Sequence, residues 1–143
     1  MTQIPNSLER VLADTYALYL KTQNYHWHVK GPNFKSLHEL FEVQYKDLAD
    51  AIDVLAERLR ALDATAPATF KALDSLKTID DGDANVSSHD MVQDLVNSQQ
   101  QIIKLIHDAL KIAESENDEG TIGLLTDRVT YHEKARWMLR ASL

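Results

Sequence analysis

Residues 33–63 read NFKSLHELFEVQYKDLADAIDVLAERLRALD, a stretch with no Gly or Pro. Leu37, Leu40, Phe41, Leu48, Ile52, Leu55 and Leu59 recur within it at three- and four-residue spacing. That spacing is the mark of a long helix with one apolar face. Working upstream, Gly31-Pro32 closes a first helix that opens near Asn6-Ser7. Leu8, Val11, Leu12, Tyr16, Tyr19 and Leu20 lie on one side of that helix, which runs to about Lys30. Working downstream, a polar, Ala/Asp-rich connection covers Ala64 to Ser88, and its Thr69–Leu76 stretch predicts a short helix.

Ser87-Ser88 caps a third long helix, whose stripe is Met91, Leu95, Ile102, Ile103, Leu105, Ile106, Leu110 and Ile112. The acidic segment from Glu114 to Gly120 breaks it. A fourth helix then carries Ile122, Leu124, Leu125, Val129, Trp137, Met138 and Leu139 to the end of the chain. Two hairpins of long helices joined by one long crossover predict an all-α fold. The expected architecture is a four-helix bundle of the ferritin-like kind, with a short extra helix between helices two and three. At 143 residues the chain has room for a single domain, 1–143, and no internal repeat divides it.

Composition removes several function classes. With no Cys there is no disulfide scaffold, zinc ribbon or thiol chemistry. The net charge of −7, with Lys and Arg scattered from Arg10 to Arg140, repels phosphate backbones. The opening residues lack a basic region leading into an apolar run, and no run of apolar residues is long enough to span a bilayer. The expected location is the cytoplasm.

Chemistry concentrates on the second helix. At about 100° per residue, His38, Glu42, Asp53 and Glu57 fall within roughly 100° of one another, beside the apolar stripe. Imidazole with carboxylate suits iron, manganese or zinc; a solvated polar flank is the plain alternative. His38 and Asp53 are separated by roughly 22 Å along one helix, too far for one metal centre. The pairs His38/Glu57 and Glu42/Asp53, however, share one midpoint, between Asp47 and Leu48. An antiparallel copy of this helix centred there sets His38 opposite the partner's Glu57 and Glu42 opposite the partner's Asp53. One two-fold axis then makes two identical sites, and Ala49, beside the axis, permits close approach. His26 lies about as far before the Gly31-Pro32 turn as His38 lies after it, so the hairpin brings both to one level. A metal site inside one bundle, by contrast, needs Glu-x-x-His motifs, and none of the six His has Glu three residues before it.

The pattern His26-Trp27-x-Val29-x-Gly31-Pro32-x-Phe34-x3-His38-x3-Glu42-x2-Tyr45-x7-Asp53-x3-Glu57-Arg58 closely resembles the signature of the Dps family of mini-ferritins. His132-Glu133-Lys134-x2-Trp137-Met138-Leu139-Arg140 resembles the family's last helix, so the likeness covers essentially the whole chain. The resemblance implies a hollow homododecamer that oxidises Fe(II), preferentially with hydrogen peroxide, and stores the Fe(III) oxide inside. It implies metal ligands His26, His38 and Glu42 from one subunit, with Asp53 and Glu57 from its two-fold mate. Many relatives carry Asp where this chain has Glu42.

Trp27 flanks the site in that pattern and reads either as a quencher of stray radicals or as a packing aromatic; Tyr45 is equally open. His28, His89, His107 and His132 read as surface or structural residues. Glu114, Glu116, Asp118 and Glu119 read as a solvated turn or, by the resemblance, as the lining of three-fold pores, with Gly123 where relatives often have Asp. The runner-up function, coating DNA, is carried in such relatives by Lys-rich tails. The ends of this sequence show none, so no appreciable duplex binding is expected.

Overall fold

The computed structural model describes residues 3–143; Met1 and Thr2, where the reading of the N-terminal segment begins, lie outside them. Five helices follow one another: α1 (Ile4–His28), α2 (Phe34–Ala61), α3 (Phe70–Leu76), α4 (Ser88–Ser115) and α5 (Glu119–Arg140). The hairpins α1–α2 and α4–α5 pack through α1 against α4, with α2 beside α5, and α3 lies across α1. This is the expected all-α bundle with a short helix in its crossover. No described helix is long and apolar enough to cross a membrane.

Boundaries follow local chemistry. α1 starts at Ile4 rather than at Ser7, because Pro5 sits in its first turn with φ already suited to a helix. The Ser7 hydroxyl, instead of capping, donates to the Ile4 carbonyl from inside the helix (2.9 Å). Gly31, at φ +112°, makes the turn into α2 in a conformation that other residues resist. α2 and α4 end alike. Asp63 (φ 61°) and Asn117 (φ 55°) adopt the left-handed conformation, and the next amides reach back to the carbonyls of Leu59 and Ala113. These are Schellman endings with Asp and Asn in place of Gly. Thr69, Ser87 and Asp118 cap α3, α4 and α5 through their side chains.

The core runs the length of the bundle, with Leu8, Leu12, Leu18, Phe41, Leu48, Leu55, Leu95, Ile102, Ile106 and Leu125 essentially excluded from solvent. Two stripe assignments need correction. Tyr16 and Leu20 of α1 are exposed while Leu18 is buried, and Trp137 and Met138 of α5 face outward. A buried carboxylate, Asp14, fastens the crossover to α1, and a half-buried one, Asp94, ties α4 to α1. Asp14 accepts from the Thr78 amide, the Thr78 hydroxyl and the Ile79 amide at 2.6, 2.6 and 3.0 Å. Asp94 accepts from the Tyr25 hydroxyl (2.5 Å) and pairs with buried Lys21 (3.2 Å).

Candidate metal centre

His26 and His38 form the centre's most determined feature. The α1–α2 turn brings them to one level, where their rings stack at 3.8 Å between centroids and 14° between planes. Nδ1 of His26 lies 2.7 Å from the His38 carbonyl, and Nδ1 of His38 lies 2.7 Å from the His26 carbonyl. A carbonyl only accepts, so each Nδ1 carries a proton and donates it. In the neutral rings both Nε2 lone pairs are thereby left free, the tautomer a metal requires. Phe34 stacks on the other face of this arrangement, 4.9 Å from the His38 ring.

Glu42 completes the cluster. Its Oε1 lies 3.6 Å from Nε2 of His26, and one ligand atom from each of His26, His38 and Glu42 lies within 4.8 Å of the others. Among the described residues this is the one such group of three. Lys46, one turn on, donates to Glu42 Oε2 at 3.1 Å. That ammonium, more than the nearby imidazoles, holds the Glu42 carboxyl below its ordinary range. Sequence reading left Lys46 unremarked, although its i,i+4 spacing from Glu42 was the available signal.

Asp53 and Glu57 do not join this cluster within one chain. They stand exposed on the same helix further along, close enough to hydrogen-bond each other, which raises the Glu57 carboxyl above its ordinary range. Among the described residues neither has a basic partner. Trp27 is 60% exposed and lies on the wall of an apolar groove of about 820 Å³ between α1 and α3, not in the core. In the bundle interior a guanidinium side chain, 11% exposed, already lies between α2 and α5. There Arg128 donates to Asp47 (2.9 Å) and to Nε2 of His132 (3.2 Å), and His132 donates to Gln99 (2.7 Å). Burial and the neighbouring guanidinium keep His132 neutral, a structural residue as expected. In the acidic turn, Asp118 is spent on capping α5 and on Arg58 (2.7 Å), while Glu114, Glu116 and Glu119 are exposed.

The ferritin-like domain matches residues 6–143. The chain is 35% identical to "DNA protection during starvation protein 2" of Bacillus anthracis, across 99% of this chain and 97% of that one. It is 38% identical to a low temperature-induced protein of Nostoc, across 95% of this chain and 77% of that one. The crystal structure of a Dps protein from Bacillus brevis superposes with a TM-score of 0.94 at 34% identity, covering 96% and 93% of the two chains. A Vibrio cholerae Dps structure, described as a member of the ferritin-like diiron-carboxylate proteins, gives 0.93 at 33% identity, covering 97% and 87%. With fold, hairpin geometry and sequence in agreement along the whole length, the chain belongs to the Dps family of ferritin-like proteins.

Proposed function

We propose that the protein stores and detoxifies iron, oxidising Fe(II) at metal centres completed across a two-fold axis and depositing Fe(III) mineral inside a hollow homo-oligomer of twelve chains. The observation that carries this reading is the reciprocal His26/His38 clamp, which fixes two imidazoles in the metal-binding tautomer before any metal arrives. In this reading His26, His38 and Glu42 of one subunit meet Asp53 and Glu57 of the mate. The exposed acid pair, without a cation of its own, supplies the missing carboxylates. Val43 and Val54 support the placement of the axis, since they are 64% and 50% exposed and lie near-symmetrically about the middle of α2. Apolar side chains left in water on that face gain from burial against a copy.

Iron is the substrate, and hydrogen peroxide the preferred oxidant. Two Fe(II) each give one electron, the O–O bond breaks, and with two protons two waters form. Pairing the electrons at one place avoids release of hydroxyl radical. The carboxylates must bind deprotonated and the imidazoles neutral, so binding releases protons and oxidation slows on acidification. Trp27, beside His26 in sequence, serves as a quencher of stray radicals at the rim. The acidic turns draw cations toward the shell.

Native mass of the assembled particle, together with Fe(II) oxidation by peroxide and by oxygen, tests the proposal. The expected result is a dodecamer whose peroxide-driven oxidation is lost in His38→Ala/Asp53→Ala. Rapid oxidation surviving that double change overturns it. No duplex DNA shift is expected at neutral pH and physiological salt; a clear, salt-sensitive shift would favour DNA coating instead.

A further inference from the structure

Three tyrosines lead away from the metal cluster in single file. The His26 ring lies 5.2 Å from that of Tyr45. Tyr45 meets Tyr19 edge-on across the α1–α2 interface at 5.9 Å. Tyr19 meets Tyr16, one turn back along α1, at 6.3 Å and nearly perpendicular. Exposure grows outward. Tyr45 and Tyr19 are half-buried, and Tyr16, 37% exposed, stands on the wall of the α1–α3 groove. Edge-to-face pairs at these separations are in van der Waals contact. Packing alone gives little reason for Tyr over Phe here, because the Tyr19 hydroxyl takes only a long contact from Gln23 (3.4 Å) and no hydrogen bond is formed by the hydroxyls of Tyr45 or Tyr16 among the described residues. What a phenol adds to a packing ring is a removable proton and electron.

We propose that Tyr45, Tyr19 and Tyr16 form a relay that carries a one-electron oxidising equivalent from the metal pocket to the groove. The inference rests on the ferroxidase reading and deepens it. A pocket holding a single Fe(II) cannot give peroxide two electrons, so one-electron transfer yields Fe(III), hydroxide and a hydroxyl radical. Tyr45 gives that radical an electron and its phenolic proton, forming water and leaving a Tyr45 phenoxyl. Tyr19 then gives an electron and a proton to Tyr45, and Tyr16 does the same for Tyr19. The phenoxyl at Tyr16 is returned to phenol by a hydrogen atom from a small thiol or ascorbate-class reductant. The sum is one Fe(II), one peroxide and one reductant hydrogen converted to Fe(III), hydroxide and water. Among the described residues no ring pair includes Trp27, so Trp27 can hold a hole but has no aromatic neighbour to pass it along.

The test has an iron-free arm and an iron arm, both on the assembled protein. Because the sequence contains no Cys, Glu42→Cys offers one attachment point for a ruthenium photo-oxidant. A flash with a sacrificial acceptor is expected to give phenoxyl that a nitroso spin trap labels at Tyr16, located by fragment mass spectrometry. Adding Tyr19→Phe should lower the Tyr16 label several-fold and move it to Tyr45; an unchanged label at Tyr16 overturns the relay. In the iron arm, unlabelled protein with one Fe(II) per subunit receives peroxide. Tyr19→Phe should raise trapped hydroxyl radical several-fold while the rate of Fe(II) oxidation stays the same, and no rise overturns the protective role. Hole arrival at Tyr16 in the ruthenium-labelled Glu42→Cys protein, together with unlabelled wild-type protein that does not oxidise Fe(II), removes the ferroxidase reading and leaves the relay standing.

Discussion

The two ends of α2 carry ligand-type side chains under opposite conditions. At the first end, His38 is locked to α1 by paired main-chain hydrogen bonds, and Glu42 is already paired with Lys46. At the second end, Asp53 and Glu57 stand in solvent with only each other, and one carboxyl is held partly against ionisation. Behind them Arg58 is tied to α5 through Asp118 (2.7 Å) and Thr121 (3.0 Å). A preorganised imidazole with one carboxylate, and an acid pair without a basic partner among the described residues, thus stand on one helix, and the proposed site joins the two across subunits. On the proposed reading, one chain folds completely and still holds only half a site.

The largest expected effect breaks that contrast by separating the halves. His26→Ala and Asp53→Ala homo-oligomers should each lose rapid Fe(II) oxidation. Subunits of the two, denatured together and reassembled, should recover about a quarter of wild-type activity, because half the dimers are mixed and each has one intact site. No recovery would place both halves in one chain's own site. Next in size, Arg58→Ala should lower stability by roughly 1–2 kcal/mol, read as a shift in thermal midpoint, since it strips Asp118 and Thr121 of a partner. The His26/His38 end should be untouched, with Fe(II) binding there unchanged.

Lys46→Gln sharpens the first end. Freed of its ammonium, Glu42 should bind Fe(II) a few-fold more tightly by titration at low salt, where exposed pairs matter most. The smallest effect lies at the second end. Because the Glu57 carboxyl is raised, its ionised form costs folded-state stability above that range, and the cost disappears as pH falls through it. Glu57→Gln should therefore melt slightly above wild type near neutrality, with the gap closing on acidification through the carboxylate range. A gap that widens instead would mean that Asp53 is not its neighbour.

Much of this was legible in residue order because helices have one period. The stripe from Leu37 to Leu59 and the stop at Gly31-Pro32 specified α2, and the serine cap specified α4. Periodicity was a poorer guide on α1 and α5. Tyr16, Leu20, Trp137 and Met138 are apolar at helical spacing yet face outward, and spacing alone does not separate core from exposed apolar surface. The His26/His38 level came from counting residues across the turn. Their shared main-chain hydrogen bonds, and the tautomer these impose, were beyond such counting because they depend on the closeness of two backbones. Lys46 was overlooked for the opposite reason, since an exposed charge one turn from an acid is too common to signal anything by itself.

The carbonyl clamp has one more consequence. Each imidazole is moored to the main chain of the other, so the pocket doubles as a ruler for the hairpin. One extra residue between Val29 and Asn33 would change how His38 is set relative to His26, and both moorings depend on that setting. Sequences descended from this one are therefore held to the length of that bend, as they are to its glycine at position 31.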